Sequence, residues 1–175
     1  MSAARSRRSI RKFSDKRVEE EKLDIIIEAA LRAPTSMGRD PWEFIVIKNK
    51  GVLEELSKSK PHGSALIKGA DTAIAVCADT GKSDVWVEDT AVASTYIFLA
   101  AESLGLGACW VQIRKRNYSD KITSSQYISG ILNIPDNIEV LSIIAVGYPG
   151  EEKSPHKKED LKYGRIHING YKKPD

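Results

Sequence analysis

The chain has 175 residues, of which 41% are hydrophobic and 29% are charged, and its formal net charge is +3 at pH 7. These values indicate one globular domain and argue against general disorder. A net charge this small does not by itself indicate nucleic-acid binding. Both cysteines lie in strand-like apolar segments, and no apolar segment follows the basic N-terminus. These features predict a reduced, cytoplasmic protein without a secretory signal.

The first feature in chain order is a basic segment over residues 5–17, with the sequence RSRRSIRKFSDKR. Ile10 and Phe13 are three residues apart and are placed to anchor the segment on the protein. An anchored segment can present arginines that bind a phosphate through paired hydrogen bonds. A solvated basic surface and a nucleic-acid-binding arm are the alternatives. The second is disfavoured because no aromatic residues alternate with the charges.

The elements that follow alternate between helical and strand periodicity. Residues 18–33 show an apolar stripe with helical spacing, and Pro34 ends that helix. A loop containing Pro34, Thr35 and Ser36 leads to a strand over residues 43–48. A short helix over 51–59, a loop over 60–69 and a strand over 72–78 are predicted next.

The central feature is an apolar helix predicted over residues 85–104. It is apolar around most of its circumference, so it must be covered on most sides. Glu88, Asp89 and Glu102 argue against a membrane span. Glycines at 105 and 107 end the helix, and a buried strand over 108–113 follows at once. We therefore expect the rest of the chain to pack around this helix and strand.

The last third of the chain contains one more helix, one strand and a polar tail. Ser119 is predicted to cap a helix that continues to about residue 132. The most apolar strand covers residues 138–146 and ends at a Gly-Tyr-Pro-Gly turn. In the tail, Ile166 and Ile168 alternate with polar residues, which predicts an added strand or an extended arm that docks on another surface. Mixed helices and strands indicate an α+β or α/β fold.

Familiar catalytic and binding motifs are missing from the sequence. It contains no phosphate loop, no glycine-rich dinucleotide fingerprint, no His-Glu-x-x-His zinc motif, no Cys-x-x-Cys pair and no Gly-x-Ser-x-Gly nucleophile motif. His62, His156 and His167 are too far apart in sequence to indicate a metal site. If the protein is an enzyme, a cofactor is therefore expected to carry the reaction.

Several motifs, taken in order, resemble those of the FMN-dependent nitroreductase family in its short form. The similarity begins at RRSIRKF, continues through APTS and PWEFIVI, resumes at LAAESLGLGACW and ends at GYPGE. The order and spacing of these motifs, rather than any one of them, make the resemblance specific. It implies a single domain over residues 1–175 with an α+β fold. The implied architecture is a mainly antiparallel central sheet flanked by helices, in an intertwined homodimer with shared active sites.

The resemblance also implies a flavin site made of four parts. The basic segment would bind the FMN phosphate and the polar edge of the flavin, and the loop over 34–36 would reach the flavin of the other subunit. The strand end over 110–112 would lie against the isoalloxazine ring, with a backbone donor near N5. A late basic residue would assist at the phosphate, and Lys162 is an alternative there. The implied residues are Arg7, Arg8, Ser9, Arg11, Pro34, Thr35, Ser36, Trp110, Val111, Gln112 and Arg165.

The implied activity is an oxidoreduction without a catalytic side chain or a metal. NADH or NADPH would give hydride to FMN, and an acceptor such as a nitroaromatic or a quinone would follow at the same face, in a ping-pong scheme. The alternatives are a flavoprotein of the same fold that performs dehalogenation or flavin cleavage, and a non-enzymatic flavin- or nucleic-acid-binding module. We expect neither nucleic acid nor a membrane as a partner. We expect the tail from about residue 151 to dock on the second subunit.

The sequence also departs from the family pattern at three positions. Gly38 and Asp40 replace an Asn and a Gln that family loops often carry, and Gln112 stands where short members often have Gly. The acceptor therefore does not follow from the resemblance.

Overall fold

Within residues 1–171, the part of the chain that the computed structural model describes, four strands form one antiparallel sheet. The strands are β1 (Trp42–Ile47), β2 (Thr72–Asp79), β3 (Gly107–Gln112) and β4 (Ile138–Gly147). Their order across the sheet is β1-β2-β4-β3, which leaves β1 and β3 at the edges. The α-helices are α1 (Ser2–Ser6), α2 (Glu20–Leu31), α3 (Lys50–Ser57), α4 (Trp86–Ser103) and α5 (Ser124–Leu132).

Helices cover both faces of the sheet and create two apolar cores. One core joins α2 and α4 to residues such as Ile74 and Ile144 on the strands. The other joins α3, α5 and the short turn Ala65–Gly69 to residues such as Ala75 and Ile143. Adjacent strand residues enter opposite cores because side chains alternate across a sheet. This architecture confirms the predicted α+β fold with a mainly antiparallel sheet.

The central helix α4 is buried on the side that faces the sheet. Small residues let it approach closely, and the hydroxyl oxygens of Ser94 on α4 and Ser142 on β4 lie 3.2 Å apart. On the opposite side, Val92 is 36% exposed and Tyr96 is 38% exposed. The prediction that this helix is covered on most sides is therefore not met within one chain.

Two boundaries differ from the sequence-based prediction. Thr123, rather than Ser119, caps α5: its side chain accepts the N–H of Gln126 at 3.1 Å, and the Gln126 side chain accepts the N–H of Thr123 at 2.9 Å. The chain from residue 117 to residue 123 instead closes as a loop, with a bridge between Asn117 and Thr123. At the N-terminus, the helix α1 was not predicted.

The polar tail forms no strand over residues 151–171. Turns at Lys158–Asp160 and Tyr163–Arg165 interrupt it, and Ile166 and Ile168 are 66% and 75% exposed. The predicted added strand is wrong for these residues because no sheet edge in this chain pairs with them. The extended arm remains a prediction, and its end over 172–175 lies outside the described residues. Over residues 1–171, no helix combines the length and the apolar character needed to cross a membrane.

Candidate active site

The basic segment is anchored along the edge strand β3, as Ile10 and Phe13 predicted. Ser9 forms a parallel bridge with Ala108, and the Ile10 N–H donates to the Ala108 carbonyl at 3.0 Å. Ile10 is only 7% exposed, and a Cβ placed on Gly107 would lie 2.8 Å from the Ile10 Cβ. Glycine at the start of β3 therefore permits this close approach. Phe13 bridges to Pro149, which follows β4.

Glu151 fastens the same segment from the other side. Its carboxylate accepts the N–H of Arg11 at 2.6 Å and the N–H of Lys12 at 3.2 Å, and lies 3.0 Å from the Lys153 ammonium. The Arg11 N–H, followed by Lys153, lowers the pKa of Glu151 to about 2. A charged carboxylate is therefore part of the anchor at ordinary pH.

The anchored segment directs successive side chains to opposite sides. Arg7 and Ser9 line a cleft of about 210 Å³ together with Thr95, Phe98, Leu99 and Trp110. The guanidinium carbon of Arg7 lies 5.2 Å from the centre of the Phe98 ring. This cleft combines a cation and a hydroxyl with apolar and aromatic surface.

The remaining basic residues assigned to the phosphate lie elsewhere. Arg8 donates to the backbone carbonyl of Ser154 and lines a separate cleft beside Gly105 and Gly107. The Arg11 guanidinium has a contact of 3.5 Å with the Ser9 carbonyl. Arg165 is exposed in its turn, and over residues 1–171 its side chain has no hydrogen bond or ion pair. Of the four basic-segment residues, the structure brings Arg7 and Ser9 together in the cleft with Trp110.

The end of β3 presents an ordered polar edge next to the cleft. The Trp110 indole N–H donates to the Gln112 side chain at 2.9 Å, and the Gln112 amide donates to the Arg114 carbonyl at 3.0 Å. The Ala108 carbonyl points away from β4, toward Ile10, so the backbone groups of Trp110 and Gln112 point outward as well. The backbone carbonyl of Gln112 accepts a hydrogen bond from the Lys60 ammonium at 3.0 Å.

Val111 has the opposite orientation. Its side chain is buried in the second core, and the residue pairs with Ile143 on β4. The alternation along β3 therefore turns its backbone groups toward the sheet. The outward backbone donors of this strand end belong to Trp110 and Gln112, while Val111 supports the strand from behind.

The loop over residues 34–40 has an unusual backbone and is fastened to α4. Met37, Gly38 and Asp40 have positive φ values of 56°, 63° and 43°. The Thr35 hydroxyl donates to Asp40 at 2.7 Å, and the Ser36 N–H donates to Asp89 at 2.8 Å. Strained backbone held in this way is typical of functional sites. Within one chain this loop does not line the cleft that Arg7 and Ser9 share.

Three residues of the site region were not assigned from the sequence. Phe98 follows the apolar period of the helix, which gave no sign that its ring lies beneath Arg7. In the sequence, Asp89 is a charge within an apolar helix, and a charge buried there requires hydrogen-bond partners, which nearby loops can supply. Lys60 lies in a loop 52 positions before Gln112, and no sequence pattern joins the two.

Comparisons with known proteins define the family. The sequence model of the Nitroreductase family matches residues 4–86 and 53–148, and the chain belongs to this family. The solved structure of an FMN-dependent nitroreductase from Clostridium difficile R20291 is 45% identical, with a TM-score of 0.95, and covers 97% of this chain and 98% of that one.

Two relatives by sequence agree with this placement. A Methanothermobacter thermautotrophicus protein named "Putative NADH dehydrogenase/NAD(P)H nitroreductase" is 37% identical over 96% of this chain and 85% of its own length. An FMN reductase (NADPH) from Bacillus subtilis is 27% identical over 94% of this chain and 71% of its own length.

The donor set of the cleft fits a flavin mononucleotide. Arg7 and Ser9 offer a guanidinium and a hydroxyl, the groups that bind a phosphate. Phe98 and Trp110 offer apolar and aromatic surface for a flat ring system. The outward backbone groups at the end of β3 offer donors and acceptors for the ring's polar edge. The site therefore has a part for each end of the cofactor.

Proposed function

We propose that this chain is an FMN-dependent oxidoreductase that passes electrons from NADH or NADPH to an acceptor such as a nitroaromatic or a quinone. The observation that carries the proposal is the meeting of Arg7, Ser9 and Trp110 in one cleft beside the open edge of β3. Bound FMN supplies the redox chemistry, accepting hydride from the nicotinamide and passing electrons to the acceptor. The protein's own residues bind the cofactor, orient it and leave one face accessible.

Each part of the site has a separate task in this proposal. Arg7 and Ser9 hold the phosphate, and Phe98 fixes the Arg7 guanidinium from below. The indole of Trp110 is held by Gln112, so its orientation is set before the cofactor arrives. The backbone carbonyl of Gln112 accepts a hydrogen bond from the Lys60 ammonium at 3.0 Å, which steadies the end of the same strand.

A single accessible face leads to a ping-pong scheme. The cleft is lined by the basic segment, β3 and α4, and this single opening supports the proposal that reductant and acceptor use it in turn. In this scheme the transfer requires no side chain as an acid, a base or a nucleophile. Selection of the acceptor would then depend on the shape of the opening rather than on a reactive residue.

The complete site is proposed to form between two copies of the chain. A cleft of about 210 Å³ is smaller than the ~300 Å³ at which pockets for drug-sized ligands begin. Val92 and Tyr96 form an exposed apolar stripe on α4, the helix that also lines the cleft. A second subunit on this stripe would cover the cleft and bring its own 34–36 loop toward it. The exposed Ile166 and Ile168 of the tail would dock on that subunit.

The test of the function is the visible absorption spectrum of the purified protein before and after anaerobic addition of NADH or NADPH. We expect flavin bands that bleach with a reductant and return when a quinone is added. Flavin bands that neither nucleotide bleaches would contradict this function and favour another flavin reaction. A colourless protein that does not take up added FMN would contradict the cofactor assignment.

Arginine variants test which part of the segment holds the phosphate. Arg7→Ala is expected to weaken FMN binding by about 1.5–3 kcal/mol, the strength of a hydrogen bond to a charged group. Arg32→Ala is the matched control, since Arg32 pairs with Glu28 on the surface of α2. Arg8→Ala is expected to weaken FMN binding less than Arg7→Ala does, because the Arg8 guanidinium already donates a hydrogen bond to the Ser154 carbonyl. Unchanged FMN affinity in Arg7→Ala would contradict the phosphate assignment.

A further inference from the structure

A second group of basic residues consists of Lys60, which contacts the end of β3, and the cations of the loop that follows this strand, and we call it the cationic rim. Its members are Lys60, Arg114, Lys115, Arg116 and Lys121. Lys60 binds the Gln112 carbonyl at 3.0 Å, and the Gln112 side chain binds the Arg114 carbonyl at 3.0 Å. The rim is therefore attached to the strand end that adjoins the flavin cleft.

The loop that carries most of the rim has a defined shape. The Arg116 N–H donates to the Ile113 carbonyl at 3.0 Å, and the Arg116 carbonyl accepts the Ser124 N–H at 2.9 Å. The ring of Tyr118 stacks on that of Tyr127 with centres 4.0 Å apart. Lys115 has a positive φ of 57°, an uncommon conformation for a lysine. These contacts hold the charges in place instead of leaving them on a loose loop.

The charges of the rim are not balanced by carboxylates. Across residues 1–171, no rim residue has an ion pair within 4.0 Å, and Asp120, the acidic residue of the same loop, also lacks one. Some surface cations elsewhere are paired, for example Arg39 with Asp84 and Lys82 with Glu43. Burial and then the Arg116 guanidinium lower the pKa of Lys60. Like charges gathered in this way repel one another, and an anionic ligand would relieve that repulsion.

We propose that the cationic rim binds the phosphate groups of the reduced nicotinamide dinucleotide and makes the protein prefer NADPH over NADH. The inference rests on the proposed function, because it takes the cleft beside β3 as the place of the nicotinamide. The phosphates of a dinucleotide extend away from its nicotinamide ring, so they need a basic surface outside the cleft. The rim supplies one that is separate from Arg7 and Ser9, which the FMN phosphate would occupy.

The preference for NADPH follows from charge. The extra 2′-phosphate brings close to two further negative charges, about −1.5 to −2 for a phosphate monoester at pH 7. Arginine binds phosphate through paired hydrogen bonds. Arg116 is exposed, and among the described residues its guanidinium donates a hydrogen bond only to the Lys115 carbonyl. The positive charge of the rim also attracts a more highly charged ligand more strongly at low salt.

A binding measurement tests the rim without depending on turnover. Calorimetric titration of the FMN-loaded protein with 2′,5′-ADP and with 5′-AMP compares ligands that differ by the 2′-phosphate. We expect tighter binding of 2′,5′-ADP, and a loss of about tenfold or more in Arg116→Ala, the effect of one charge-assisted contact. Lys82→Ala is the control because Lys82 pairs with Glu43. Equal affinities for the two ligands, or an unchanged 2′,5′-ADP affinity in Arg116→Ala, would overturn the proposal.

Reduction kinetics separate this proposal from the function on which it rests. In stopped-flow flavin reduction, Arg116→Ala and Lys121→Ala should raise the NADPH concentration for half-maximal rate and leave the limiting rate and FMN content unchanged. The effect on NADH should be smaller. Equal losses for both nucleotides would contradict a 2′-phosphate site. If dithionite reduces the flavin of the unaltered protein but neither nucleotide does, the proposed function fails. The calorimetric result still shows in that case whether the cationic rim binds the 2′-phosphate.

Discussion

Asp89 on the central helix accepts the backbone N–H of Ser36 at 2.8 Å and so fastens the 34–36 loop to α4. Its second oxygen accepts the Ser83 hydroxyl at 2.9 Å, and the residue is only 4% exposed. A buried carboxylate needs such donors, because a buried charge without partners is costly. The one bond that Asp89 makes to the loop therefore positions the backbone proposed to reach the flavin of a second subunit.

Replacing Asp89 tests this positioning. Asp89→Ala leaves the Ser36 N–H and the Ser83 hydroxyl without their acceptor, so we expect a loss of about 1–3 kcal/mol in the free energy of unfolding, measured in urea. FMN affinity should fall as well. Asp89→Asn retains an acceptor for Ser36 and should recover most of the FMN affinity. Ser83→Ala removes the other partner only, and a fall in FMN affinity as large as in Asp89→Ala would show that the loop contact is not the cause.

The cap of α5 gives a second prediction. Thr123 and Gln126 form a reciprocal capping box, so Thr123→Ala should lower the free energy of unfolding by about 1 kcal/mol. Ser119→Ala should change it by less than about 0.5 kcal/mol, as expected of a surface substitution. Thermal or urea unfolding of the two variants checks the pair. A larger loss in Ser119→Ala would restore the sequence-based assignment of the cap.

This cap shows which parts of the structure the sequence could predict. The main helices followed from their apolar stripes, and the strands followed from short apolar segments, which in β2 and β4 are buried on both faces. Ser119 and Thr123 are both good capping residues, and only the bridge between Asn117 and Thr123 decides between them. That bridge forms only when the loop is folded, and the helix or turn propensities of its residues do not predict it.

The candidate site was predictable in its members and less so in its geometry. The extended backbone at Ser9 sends Arg7 and Arg8 to opposite sides, which follows from strand alternation once pairing with Ala108 is known. The pairing of Ser9 with Ala108 depends on the tertiary structure, so the sequence alone does not predict it. In the tail, Ile166 and Ile168 have the spacing of a strand, but a strand also needs an edge to pair with, and none in this chain receives them.

Gly107 gives the third prediction, which concerns the anchoring of the basic segment on β3. A Cβ at this position would lie 2.8 Å from the Cβ and Cγ2 of Ile10, so Gly107→Ala must displace the basic segment. We expect a loss of about 1–3 kcal/mol in the free energy of unfolding, the usual cost of overpacking, together with weaker FMN binding. Gly130→Ala on α5 is the control, because nothing lies within 4 Å of the position that the new methyl group would take, and alanine favours helix by about 0.5–1 kcal/mol. Equal effects of the two changes would contradict the close-approach explanation.

Glu151 gives a fourth prediction, in the form of a pH dependence. Its pKa falls from an ordinary 4.5 to about 2 in the folded chain, chiefly through the Arg11 N–H. A lowered folded-state pKa stabilises the fold above the unfolded value, and this contribution is lost as pH falls from about 4.5 toward 2. Glu151→Gln should flatten that part of the stability profile, measured by urea unfolding across the same pH range. An unchanged slope in Glu151→Gln would show that other carboxyl groups cause the acid dependence.

Tyr96 tests the second subunit. It is 38% exposed on the side of α4 that faces away from the sheet, next to the helix residues that line the cleft. Tyr96→Arg places a charge in the proposed contact between subunits, and an unpaired buried charge there disfavours association. Sedimentation velocity should show a shift from dimer to monomer, and FMN content should fall with it because the cleft loses its cover. Ile122→Arg changes a residue of similar exposure, 43%, on the loop that precedes α5 and should keep the dimer. A Tyr96→Arg protein that remains dimeric with full FMN content would place the subunit contact on another face.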